Sequence, residues 1–152
     1  MAGNRVYVAG KVGKGEEAVK SLIGHLEALG YTVTYDWTLY PIQKPFEGNH
    51  DAALAAERMA RGVMEADIVI VLCQKEGGVG YHIETGGALI ASLVISYIQG
   101  ERRRRIYLVG EGNDRSVFYF HPAVTRVGSI EDIIALGRNL GLLPGSIVDR
   151  KA

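Results

Sequence analysis

The chain has 152 residues, 47% apolar and 22% charged, with 17 Lys plus Arg against 17 Asp plus Glu. That length suits one domain with a sizeable core, and zero net charge leaves no electrostatic footprint for nucleic acid or an anionic membrane. A single cysteine, Cys73, excludes an internal disulfide and fits a reducing compartment.

The first predicted element is the strand Arg5 to Ala9, ending at Gly10 and followed by the loop GKVGKG. Residues 16–29 carry Val19, Leu22, Ile23, Leu26 and Leu29 at helical spacing, and Gly30 is the natural stop. The run 31–36, YTVTYD, is rich in β-branched and aromatic residues and predicts a strand. After a loop with Pro41 and Pro45, an Ala-rich helix is expected over 51–66 with Asp51 as its N-cap. DIVIVL, 67–72, is a continuous apolar run, the pattern of a strand buried on both faces. A glycine-rich loop then leads into a helix from about Tyr81 to Gln99, closed by Gly100. Further strands are expected at 105–109 and around VTRVG, with a last helix over 130–140 and a loose polar tail over 145–152.

Strands alternating with helices imply parallel strands joined by crossovers. The expected fold is therefore a single α/β domain over 1–152, flavodoxin-like or Rossmann-like, with three layers and a five-stranded parallel sheet. Such sheets bind ligands beyond the carboxyl ends of their strands. The longest apolar stretch, 88–98, is shorter than the roughly 20 residues that span a bilayer. No secretory leader pattern opens the chain, so the expected location is the cytoplasm, with no membrane or nucleic-acid partner.

Several residue patterns bear on chemistry. In GKVGKG, Gly10 and Lys11 open a loop that either cradles a phosphate or simply turns the chain. It is neither a G-x-G-x-x-G fingerprint nor a Walker loop. Asp36 and Trp37 end the second strand, where a carboxylate can bond a sugar or base and an indole can stack. The plainer reading is a turn-starting Asp beside a half-buried Trp. The run Arg102 to Arg105 reads as a solvated strand entrance, with phosphate binding as the lesser alternative. The four histidines show no metal-ligand spacing, no metal or organic cofactor is signalled, and no G-x-S-x-G elbow is present.

Glu84 remains. With a helix start near Tyr81 it falls in the first turn, where the macrodipole favours the ionised form. A capping box needs Ser or Thr three residues earlier, where Tyr81 stands. Gly86 and Gly87 follow, and each costs up to about 1 kcal/mol relative to Ala inside a helix. A ligand or another backbone is therefore expected to approach closely there.

Gly80-Tyr81-His82-Ile83-Glu84-Thr85-Gly86-Gly87-Ala88 resembles the G-x-x-x-E-x-G-x-A signature of the nucleoside 2-deoxyribosyltransferase family, which includes related hydrolases of 2'-deoxynucleoside 5'-monophosphates and of CMP. VYVAG, YTVTYDW and ADIVIVL stand in register with it, so the resemblance covers roughly residues 5–110. It implies a flavodoxin-like sheet, Glu84 as nucleophile, Tyr7 as the tyrosine that orients it, and cleavage of the bond between a sugar C1' and a base nitrogen. The glycines of 77–80, including Gly78 and Gly80, would offer backbone N–H groups to the sugar or its 5' substituent. His82 would meet a 5'-phosphate or pack. The substrate implied is a nucleoside or nucleotide, and the glycosyl acceptor is water or another base. One position departs: the family's usual Asp, eight residues before Asp67, is Met59 here. A different sugar, another acid or a non-catalytic nucleotide-binding module on the same fold would each accommodate that change. A glycosidase acting on the nicotinamide bond of NAD is a further alternative. The helix after the signature is apolar nearly all round, so a homo-oligomer is expected, unless the chain's own C-terminal region covers it.

Overall fold

The central strand explains the architecture. Ile68–Leu72 (β3) is buried at every position, because it has a strand on each side and helices over both faces. The computed structural model describes residues 3–42, 44–76, 79–99 and 105–141. Within them, β3 joins Arg5–Ala9 (β1), Thr32–Val33 (β2), Arg105–Val109 (β4) and Val124–Val127 (β5) in one parallel sheet of order β2-β1-β3-β4-β5. This is the flavodoxin-like order. The chain runs outward from β1 to β2, then back across to β3. Right-handed crossovers accordingly assign Glu16–Ala28 (α1) to one face, and His50–Glu65 (α2) and Val79–Gln99 (α3) to the other. Ile130–Leu136 (α4) follows β5.

Sequence and structure differ at several boundaries. β2 covers only two of the six expected residues. Asp36 accepts hydrogen bonds from the Thr38 N–H at 3.0 Å and the Thr38 hydroxyl at 2.5 Å, and this local capture turns the chain out of the ladder. Asn49, not Asp51, caps α2: its Oδ1 accepts from the Asp51 N–H at 2.9 Å. α3 begins at Val79, two residues before the expected start. α4 stops at Leu136 because Gly137 takes φ +54, and a short 3-10 turn continues to Asn139. Arg105 is buried rather than solvated, while Arg102 to Arg104 and the tail over 145–152 lie outside the described residues. Among the described residues, no helix is long and apolar enough to cross a membrane.

Gly62 fixes the distance between α2 and the sheet. A Cβ added there would come 2.8 Å from Tyr35 Cβ and 3.0 Å from Tyr7 Cδ2. Helix α2 thus rests its backbone directly on β1. The Thr34 hydroxyl, donating to the Gly62 carbonyl at 2.7 Å, holds it there. Gly62→Ala is expected to lower stability, because overpacking of about 1–3 kcal/mol outweighs a helix-propensity gain of about 1 kcal/mol. Urea denaturation checks this. A midpoint above that of the wild type contradicts the close approach.

Candidate active site

The sheet order reverses between β1 and β3, so their carboxyl ends open a crevice. The loops that follow these strands meet there, with the Lys11 ammonium donating to the Glu76 carbonyl at 3.4 Å. Tyr81 ties the start of α3 to the same loop. Its hydroxyl donates to the Gln74 carbonyl at 3.2 Å and accepts from the Gln74 N–H at 3.3 Å.

Tyr7 and Glu84 are brought together. Tyr7 is wholly buried in β1, and its hydroxyl donates to Glu84 Oε1 at 2.8 Å. Burial, reinforced by the neighbouring carboxylate, pushes the Tyr7 phenol far above its ordinary range, so it remains a donor at any working pH. Burial also raises Glu84, from 4.5 to about 7, against the opposing pull of the Tyr7 hydrogen bond. The expectation of a first-turn carboxylate kept charged by the helix dipole is therefore corrected. Because α3 starts at Val79, Glu84 sits in the second turn, and desolvation dominates its ionisation.

Glu84 faces a cleft of about 760 Å³ between α2 and α3. Met59, Ala60, Val63, Gly80, Ile83 and Gly87 are among its walls. Glu84 is the one ionisable group among the described lining residues. Met59, at the position of the family's usual Asp, thus lies in the same cleft as Glu84 and supplies a thioether there. Glu57, the nearest acid before Met59 in sequence, is not among the described lining residues of the cleft and pairs with Arg61 at 3.1 Å.

The remaining candidates are placed differently. Gly10 answers to packing: an added Cβ would meet Val19 Cγ2 at 2.6 Å. Trp37 is only 4% exposed and its indole N–H donates to the Val8 carbonyl at 2.8 Å, which corrects the expectation of an open stacking face. Asp36 is engaged by Thr38, the turn-starting role of the plainer reading. Gly78 lies outside the described residues. His82 lies about 200° around α3 from Glu84, at about 100° per residue. It lines a second cleft, of about 450 Å³, with Thr85, Gly86, Arg115 and Tyr119. There its Nδ1 is hydrogen-bonded with the Tyr119 hydroxyl, and burial, then the Arg115 charge, lower its pKa. The structure does not join His82 to the Glu84 cleft.

Sequence reasoning passed over Gly62, Arg115 and Tyr119. An isolated glycine in an Ala-rich helix pattern was the available signal for Gly62. Arg115 stood unremarked in a loop at the carboxyl end of β4, and FYFHP gave no periodicity by which to place Tyr119.

The raised pKa has a thermodynamic consequence. Between pH 4.5 and about 7 the folded protein holds a proton on Glu84 that the unfolded chain has released. Stability from this group therefore falls as pH rises through that window. Glu84→Gln removes the effect. Its melting temperature is expected to exceed that of the wild type by a margin that widens from pH 4.5 to about 7 and then levels off. A margin independent of pH contradicts a desolvated carboxyl. No family model and no curated protein matches this chain, so the residues themselves carry the functional reading.

Proposed function

We propose that the protein cleaves the N-glycosidic bond of a nucleoside or nucleoside 5'-monophosphate, with Glu84 as nucleophile, as a member of the nucleoside 2-deoxyribosyltransferase family. The observation that carries this reading is the Tyr7–Glu84 pair at the head of a cleft beside the switch point of the sheet. Tyr7 occupies one lone-pair direction of Oε1. The other carboxylate oxygen is left to form a bond to C1' as the bond from C1' to the base nitrogen breaks. The electron pair leaves with the base, which takes a proton from solvent. Water or a second base then attacks C1' and loses a proton to solvent, while the bond from C1' to the Glu84 oxygen breaks and regenerates the carboxylate. In a cleft with apolar walls, the charge on Glu84 acts on the developing oxocarbenium centre with little screening.

Only the ionised form of Glu84 attacks, so the rate of base release rises with pH through about 7. The Tyr7 hydrogen bond lowers this pKa, and Tyr7→Phe therefore moves the rising limb toward alkaline pH.

A second reading, a nucleotide-binding module without turnover, is favoured by one feature. Many glycosidic sites use two carboxylates, and the Glu84 cleft has Met59 where the family usually has Asp. One panel separates the readings: nucleosides, 2'-deoxynucleosides, their 5'-monophosphates and NAD, with released base followed by chromatography. Base release is expected from the wild type and a loss of at least a thousandfold from Glu84→Gln and Glu84→Ala, with the fold retained. Full activity in either variant removes the mechanism. Tight binding with no product supports the binding module.

A further inference from the structure

Two clefts flank α3, and each has a glycine in its helical wall. Gly87 lines the Glu84 cleft, and Gly86 lines the His82 cleft. Each glycine costs up to about 1 kcal/mol relative to Ala in a helix. A Cβ built on either meets nothing within 4 Å, so packing within the described residues accounts for neither. Bare backbone at Gly87 gives room to the substrate of the proposed reaction. Gly86 faces the other cleft, which that reaction does not use.

The His82 cleft, of about 450 Å³, is in the size range of small-molecule sites. Arg115 lines it, and no carboxylate is among the described lining residues. The Arg115 Nη1 donates to the Lys75 carbonyl at 3.0 Å, which anchors the guanidinium by one nitrogen. Among the described residues no ion pair engages it. Its charge still reaches two neighbours in the cleft: it adds to the burial that lowers the His82 pKa, and it opposes the burial that pushes the Tyr119 phenol up to about 12. The phenol therefore keeps its proton. With that phenol as donor to Nδ1, the proton of the neutral imidazole stands on Nε2. The Ser116 Oγ accepts from the Phe118 N–H at 3.3 Å, which leaves its own O–H to donate. The cleft thus combines one cation lacking a carboxylate partner with two neutral donors. Its other walls are apolar, and two of them, Phe118 and Ile90, are 67% and 60% exposed.

We propose that the His82 cleft is a second binding site, for a small organic oxyanion whose charged group meets Arg115 and whose flat apolar body lies against Gly86, Ile90 and Phe118. A guanidinium forks onto carboxylate and phosphate oxygens alike, so an aromatic carboxylate and an aromatic phosphomonoester share the chemistry this site recognises. The imidazole Nε2–H and the Ser116 hydroxyl are donors, as an oxyanion requires. A cationic ligand meets the Arg115 charge, and a neutral one leaves the guanidinium desolvated without a partner. Bare backbone at Gly86 lets a planar body lie flat on the helix, where a side chain would stand in its place. Neither the site nor its test depends on the role of Glu84.

Isothermal titration calorimetry near neutral pH, with phenyl phosphate and benzoate as probes, is expected to show one site per chain. Binding of phenyl phosphate alone identifies a phosphomonoester site, binding of benzoate alone a carboxylate site, and binding of both a general oxyanion site. Benzyl alcohol, benzylamine and inorganic phosphate, which lack the charge, reverse it or lack the apolar body, should each bind at least tenfold more weakly. Arg115→Gln should weaken the probe at least tenfold. Gly86→Leu should do the same by filling the cleft, while a better helix former keeps the melting temperature at or above that of the wild type. Glu84→Gln should bind as the wild type does. Failure of both anions to bind, equal binding of any of the three controls, or undiminished binding by Arg115→Gln or Gly86→Leu overturns the proposal. Loss of binding in Glu84→Gln also overturns it, by placing the anion in the other cleft.

Discussion

A phenol in the middle of β1 donating to a carboxyl in the second turn of α3 is the contact on which the rest of this structure turns. It joins the centre of the sheet to the helix that follows the switch point. Both partners are desolvated, and the consequences differ in kind. The phenol is kept protonated, and the carboxyl is moved to a pKa near neutrality. Gly62 sets the geometry from the other side, because α2 lies so close to the Tyr7 ring that no side chain fits between them. Three elements distant in sequence thus determine the ionisation of one carboxyl.

Helix α3 divides its circumference among several surfaces. One side carries Ala88, Leu89 and Ser92 into the core. A second presents Glu84, Gly87 and Ala91 to the cleft shared with α2. A third presents His82 and Gly86 to the hollow beside Arg115 and Tyr119. This division explains why His82, two residues from the carboxyl in sequence, takes no part in its cleft. It also explains a helix that reads as apolar nearly all round, since only part of that surface meets the sheet.

Much of the fold was legible because its signals are local and redundant. An unbroken apolar run predicted β3, helical spacing predicted α1, and Gly30, with φ +95, ends that helix as expected. Glu84 was legible by elimination and by its signature, but its environment was not. Its burial depends on α2 lying against β1, a long-range fact that the spacing of residues 77–88 does not encode. The start of α3 was misplaced by two residues, because a glycine-rich approach to a helix has no strong capping residue to mark it. That shift moved Glu84 out of the reach of the helix dipole. Asp36 and Trp37 were left between two readings for a different reason. Polar and aromatic residues at a strand end serve a turn or the core as readily as a ligand, and here the Thr38 and Val8 hydrogen bonds engage both.

The claim at the centre of this account is that Glu84 bonds transiently to the anomeric carbon of a substrate. Covalent trapping tests it most directly. The protein is incubated with 2'-deoxy-2'-fluoroarabinosyl nucleosides and their 5'-monophosphates, whose fluorine slows breakdown of a glycosyl ester, then quenched in acid and mapped by mass spectrometry. The predicted result is a mass gain of one fluorinated sugar, or sugar phosphate, on the peptide containing Glu84, absent from Glu84→Gln. Release of base with the sugar on another residue, or on none, would contradict it.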